Sequence, residues 1–186
     1  MMLKIIIKYK IFFFLFFIIL LLFYYLNRFN LKLRAESSSV DISFNPGNFN
    51  IKVGEVSPEI SIFLNFVGFN NYEKIDYIKL MINFPKENLE LFDYINTLES
   101  GLNRQMRVDG PFISNSSGII IIELGASSLN SGPSVNKPVL LAKMRFKGKS
   151  SISQGKVTIG NVQIINSFNS NINVRNKNIL YFSVIK

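Results

Sequence analysis

The stretch IDYIKLMINF, residues 75–84, decides the fold. Ile78, Leu80, Ile82 and Phe84 fall on one side of an extended chain, and Tyr77, Lys79, Met81 and Asn83 fall on the other. A period of two sustained over that length describes a half-buried β-strand, because successive Cβ atoms of a strand point to opposite sides. Pro85 ends it, having no amide hydrogen for a ladder, and apolar residues resume at 89–95. On the N-terminal side, residues 59–67 (EISIFLNFV) and 40–44 (VDISF) read as strands, the latter followed by a turn at Asn45-Pro46-Gly47. On the C-terminal side come residues 111–114 and residues 118–124, the latter with four consecutive isoleucines. Residues 139–146 follow, with Leu140, Ala142, Met144 and Phe146 inward, and then 156–165 and 179–185, which makes about nine strands. No segment after residue 35 shows a helical period, although residues 96–106 leave room for one helical turn. Short strands punctuated by Gly, Pro, Asn and Ser predict an all-β sandwich of two sheets.

The segment before this domain has another character. Residues 11–26 (IFFFLFFIILLLFYYL) are 16 apolar or aromatic residues without a break, about 24 Å as a helix. Counting back to Ile5 gives 22 residues, about 33 Å, enough to span a bilayer with Lys8 and Lys10 reaching the headgroups. Tyr24 and Tyr25 then sit where an interfacial aromatic belt belongs. The chain thus divides into a short basic tail (1–10), a transmembrane signal anchor (11–26), a polar tether (27–38) and the sandwich (39–186). A cleaved signal peptide shares the basic start and apolar core. Ala35, the one plausible cleavage residue, follows Leu33 and Arg34 and lacks the small residue two positions earlier that a peptidase prefers. An uncleaved, single-pass membrane anchor is the expectation. Lys4, Lys8 and Lys10 precede the segment while Arg28, Lys32 and Arg34 follow it, so charge bias does not orient it. The shortness of the preceding tail places the sandwich outside the cytoplasm.

The chain has 186 residues, 21 Lys+Arg against 12 Asp+Glu, and no Cys, His or Trp. Disulfides, imidazole or thiolate catalysis and Cys/His zinc sites are excluded. Six of the positive charges lie in residues 1–35, which leaves 15 basic and 12 acidic residues, a net +3, for the rest. The densest basic run, Lys143, Arg145, Lys147 and Lys149, alternates with Ala142, Met144 and Phe146 and reads as the solvated face of a strand. A nucleic-acid partner is therefore not expected.

Catalysis has little to work with. A serine nucleophile would need Lys or a carboxylate as base, and no G-x-S-x-G signature is present. A glycosidase needs only two carboxylates, but Glu55, Glu59, Glu73, Glu87, Glu90 and Asp93 are scattered along edges and turns. Neither an enzyme nor a cofactor is expected. Residues 166–178 hold Asn166, Asn169, Asn171, Asn173, Asn176 and Asn178 without a carboxylate, which suits a flexible turn better than a calcium loop. Tyr72, Tyr77 and Phe69 are isolated, so no aromatic strip for stacking sugars is visible. Asn115-Ser116-Ser117 is a formal glycosylation sequon.

Taken in order, these features resemble a cohesin domain, the nine-stranded jelly-roll sandwich related to bacterial carbohydrate-binding modules. Residues 44–54 (FNPGNFNIKVG) are similar to the family's first strand, turn and "VG" step, followed by the extended strand 60–67. Residues 78–91 (IKLMINFPKENLEL) resemble its "L-x-Y/F-D-P-x-x-L" segment, with Phe84, Pro85 and Leu89 in register. Residues 140–147 (LLAKMRFK) are similar to its "LA-x-I-x-F-K" strand, and residues 155–165 to the glycine-led strand after it. Where the family commonly has Asp before the proline, this chain has Asn83-Phe84. In residue terms, Gly47 and Gly54 supply turn conformations beside strands.

The resemblance implies adhesion. One sheet face of such domains grips a dockerin module that tethers polysaccharide-degrading enzymes, and the wider superfamily includes sugar binders. Carried over, that face pairs strand 75–84 with strand 118–124, and its outward residues are Tyr77, Lys79, Met81 and Asn83 with Ile119, Ile121 and Glu123. Read from the residues alone, Ile119 and Ile121 suit a strand buried on both faces equally well. The expected partners are thus a membrane, through the N-terminal helix, and a dockerin-like protein. Polysaccharide, as for a displayed carbohydrate-binding module, and a purely structural envelope sandwich are the alternatives.

Overall fold

The computed structural model of the chain describes residues 16–25, 38–69, 73–96, 101–128, 132–133 and 137–186. They fall in two compact units, Met1–Ser37 and Ser38–Lys186. In the first, residues 16–25 are helical and the large apolar side chains from Phe16 to Phe23 stand exposed. The rest of the expected anchor, residues 11–15 and 26, lies outside the described residues, as do the tail 1–10 and most of the tether. Among the described residues no helix is long and apolar enough to cross a membrane.

The second unit is a two-sheet sandwich of eleven strands among the described residues: β1 Ser39–Asn45, β2 Asn48–Lys52, β3 Ile60–Val67, β4 Ile75–Asn83, β5 Leu89–Asn96, β6 Arg104–Val108, β7 Ile119–Gly125, β8 Val139–Gly148, β9 Ile152–Asn166, β10 Asn173–Lys177 and β11 Leu180–Ile185. One sheet has the order β10-β1-β3-β8-β5 and the other β2-β11-β9-β4-β7-β6. β1 pairs parallel with β10 and β2 with β11, while the remaining ladders are antiparallel. The inner faces interdigitate through Ile42, Ile62, Leu64, Ile78, Leu80, Ile82, Ile122, Met144 and Phe146, all at most 1 % exposed. Phe84, just past the end of β4, and Phe146 of β8 meet at 5.4 Å between ring centroids, which ties the two sheets together across the core.

Several expectations are corrected. The nine expected strands become eleven: residues 111–114 drop out, the short edge strand β2 comes in, and so do β6 and β10, which are polar edge strands. Both faces of such a strand meet water, so its residues show no period of two. Arg104–Val108 is extended where a helical turn had room, and Asn173–Lys177 is a ladder strand inside the segment read as a flexible turn. Residues 111–114 are not a strand: Pro111–Ser117 is a short helix with proline in its first turn, ended by Gly118 at φ 74°, whose N–H donates to the Ser114 carbonyl at 2.7 Å. A Cβ at Gly118 would lie 2.9 Å from the Phe84 carbonyl, so the left-handed turn and the close approach both require glycine. Finally Leu140 is half-exposed, and Leu141 is buried beside Ala142. β8 carries an extra residue there, its register stepping from Ile62↔Ala142 to Phe63↔Leu140, and the bulge turns two successive side chains inward.

The turn at residues 45–47 is made by a cis Asn45–Pro46 bond, and Gly47 is not in the left-handed region, whereas Gly54 is, at φ 88°.

Candidate binding face on the six-stranded sheet

β4 and β7 pair in the register Lys79↔Glu123, Met81↔Ile121 and Asn83↔Ile119, with Tyr77 opposite Gly125. The structure therefore brings all seven face residues together on the outer side of one ladder, each half-buried. Ile120 and Ile122 are fully buried between them, so β7 alternates: its isoleucine run faces both the core and the surface.

The upper half of the face is polar and internally satisfied. The Tyr77 phenol donates to Glu123 Oε1 at 2.7 Å, and Lys79 Nζ lies 3.5 Å from Glu123 Oε2. The Tyr77 hydrogen bond holds the Glu123 carboxyl below its ordinary range, against desolvation and with further help from Lys79 and Arg107. Burial, and then the same hydrogen bond and charge, push the Tyr77 phenol up to about 12. Glu123 is thus a charge already neutralised by its neighbours.

The lower half is apolar: Met81, Ile121 and Ile119. Gly160 of β9 makes space beside it, because a Cβ there would lie 2.7 Å from Asn83 Nδ2 and 3.5 Å from Met81 Sδ. β9 also steps in register between Leu80 and Ile82 at this point, so the bulge and the glycine together let two β4 side chains spread sideways over the neighbouring strand.

Sequence reasoning missed β6, which extends the face. Arg107 stands opposite Glu123 in the β6–β7 register and forms a two-pronged pair with Asp109 at 2.9 and 3.0 Å. Met106 is 52 % exposed, and a Cβ on Gly125 would be 3.6 Å from its sulfur. The only signal was composition, an Arg-Gln-Met-Arg run with no period.

The other singled-out residues have local duties. Asn115 Oδ1 accepts from Leu91 N–H at 2.6 Å and its amide donates to Leu91 O at 3.1 Å, so the sequon amide occupies the open edge of β5. Asn166 Oδ1 accepts from the N–H groups of Phe168 and Ser170 at 3.1 and 2.9 Å, closing a turn. Phe69 stands edge-on to Phe66 at 5.2 Å, and Tyr72 lies outside the described residues. The basic run of β8 is neutralised by Glu59, Asp93 and Glu90.

No family model matches the sequence, and no curated protein matches it. Solved structures do resemble it. The OlpC cohesin from Clostridium thermocellum, solved in a type I cohesin–dockerin complex, superposes with a TM-score of 0.60 at 11 % identity, over 79 % of this chain and 95 % of that one. The seventh ScaB type I cohesin of Pseudobacteroides cellulosolvens gives 0.59 at 17 % identity, over 79 % and 91 %. A non-cellulosomal cohesin of the archaeon Archaeoglobus fulgidus gives 0.57 at 13 % identity, over 81 % and 92 %. The sandwich of Ser38–Lys186 has the cohesin fold.

Proposed function

We propose that this chain is a non-catalytic, cohesin-type binding domain whose β4–β7 face, extended by β6 and β9, receives a dockerin-like protein partner. The observation that carries the reading is the make-up of that face. Met81, Ile119 and Ile121 offer apolar area to a partner, and the neighbouring Glu123 already holds Tyr77 and Lys79, so covering it does not strand a lone charge. The OlpC and OlpA cohesins that share the fold were solved in complexes with dockerins.

The same reading holds the domain at the cell surface through residues 11–26, left uncleaved, with the sandwich outside the cytoplasm. The unbroken apolar run and its flanking lysines support this. In this setting a captured partner would bring its own activity to the surface, including polysaccharide breakdown.

The test uses the full chain in detergent micelles as bait for the source organism's proteins. The reading expects one protein recovered at stoichiometric yield, insensitive to added sugars, lost on Met81→Ala and retained on Arg145→Ala at the opposite sheet. Retention on polysaccharide alone, or capture indifferent to Met81, would overturn it. Topology has a separate readout, since the chain has no cysteine: Ser150→Cys should react with a membrane-impermeant maleimide on intact cells.

A further inference from the structure

The six-stranded sheet continues past β9 to β11 and β2, and its outer side there is a different surface. Parallel pairing sets Asn48 beside Tyr181 and Asn50 beside Ser183. On the other flank of β11 the register jumps from Phe182↔Gly155 to Val184↔Ile152, so Ser153 and Gln154 together oppose Ser183. This bulge bends β9 outward. The result is an open cleft of about 450 Å³ walled by these amides, hydroxyls and one phenol.

Its floor is rigid. Phe49 and Phe182 stack beneath it at 5.6 Å and 15°. Phe182 also fills the space over Gly155, where a Cβ would fall 2.2 Å from the ring. Above the floor, Ser183 Oγ donates to Asn50 Oδ1 at 2.7 Å, which fixes the amide and turns its N–H groups to donate elsewhere. Tyr181 is 40 % exposed and carries the Lys156 ammonium 5.6 Å from its ring centroid.

We propose that this cleft is a binding site for a short oligosaccharide, separate from the β4–β7 face. Amides and hydroxyls both donate and accept, as sugar hydroxyls do. Side chains in one row across neighbouring strands stand ~4.8 Å apart, close enough for several to engage one sugar ring. An apolar ligand finds its matching surface buried under the floor, and a phosphate finds no charged side chain among the described lining residues. Tyr181 supplies the amphipathic ring at one end of the row. Sequence inspection for aromatic strips passed over it because its partners are polar residues from three distant segments.

The experiment is calorimetric titration of the full chain in detergent micelles with two probes, neutral cellohexaose and a hexamer of galacturonic acid. The expected result is binding of at least one, in the millimolar range or tighter. Both Asn50→Ala and Gln154→Ala should weaken it at least tenfold, and Met81→Ala should leave it unchanged. Asn50 and Gln154 are exposed side chains, and an unchanged thermal midpoint for each variant confirms folding. Binding of neither probe, or binding that survives both substitutions, would overturn the proposal.

Discussion

The outer faces of the two sheets solve the same problem in opposite ways. On the five-stranded sheet, charges are matched across strands: Lys143 with Glu59, Arg145 with Asp93, Lys147 with Glu90 and Arg175 with Asp41. Arg145 also covers the ring of Phe92, 5.4 Å from its centroid. Such a face is content in water, and each pair adds little to stability because solvent screens it. On the six-stranded sheet, the β4–β7 ladder instead places Met81, Ile119 and Ile121 outward and folds its one carboxylate, Glu123, into the Tyr77 phenol. Replacing that water by protein removes apolar area from solvent without breaking a charge lattice. One face is thus a charge-matched wall, and the other leaves apolar side chains outward beside a carboxylate that is already paired.

The comparison breaks most visibly at Ile121. Ile121→Asp should lower affinity for the partner at least a hundredfold, ~2.7 kcal/mol, by titration of the captured protein, with little change in the unfolding midpoint. An unchanged affinity would mean that the apolar patch of the β4–β7 face takes no part in binding. Next, Gly155→Ala drives a methyl into the Phe182 ring and should cost about 2 kcal/mol in a urea melt. Asn115→Ala uncovers the β5 edge on the other sheet by removing both bonds to Leu91. A loss of about 1–1.5 kcal/mol is expected, with increased self-association in light scattering.

Tyr77 sharpens the contrast through pH. Its phenol is raised in the fold to about 12 from 10.0, so its contribution is present below pH 10 and is lost as pH rises toward 12. Tyr77→Phe should flatten that part of the stability-against-pH curve, an effect under about 1 kcal/mol after solvent screening. Asp41, held below its ordinary value chiefly by Arg175, works in the other direction. Its contribution fades as pH falls below the ordinary carboxylate range. The smallest expected effect is that of Arg145→Ala, which should move stability by less than about 1 kcal/mol and partner affinity by less than twofold in the same titration.

Much of this was legible in the residues because water wrote it there. Strands with one wet and one buried face announce themselves by alternation, and residues 77–84 did so without a break. The same alternation sorted Tyr77, Lys79, Met81 and Asn83 to the outside. β2 alternates too, but over only five residues directly after a turn, and it went uncounted; the other silent parts were those where alternation carries no information. β6 and β10 are exposed on both sides, so polarity hides their strands. Pro-Phe-Ile at 111–113 looked like a strand start, yet Phe112 is 92 % exposed on a helix, set by a first-turn proline and a left-handed glycine rather than by burial. At Leu141 a bulge shifted the pattern by one residue, which no periodicity can foretell.

By itself the sequence determined the class of fold, the division into an apolar N-terminal run and a sandwich, the core side of its long strands and the exclusion of thiol and imidazole chemistry. These follow from local patterning and from which atoms are present at all. Tertiary structure alone decided which strands are neighbours, and hence that Glu123 meets Tyr77 across 46 residues and that Asn50, Ser183 and Gln154 share one cleft. Strand order and bulges arise from packing two twisted sheets against each other, a balance summed over the whole core and carried by no single segment.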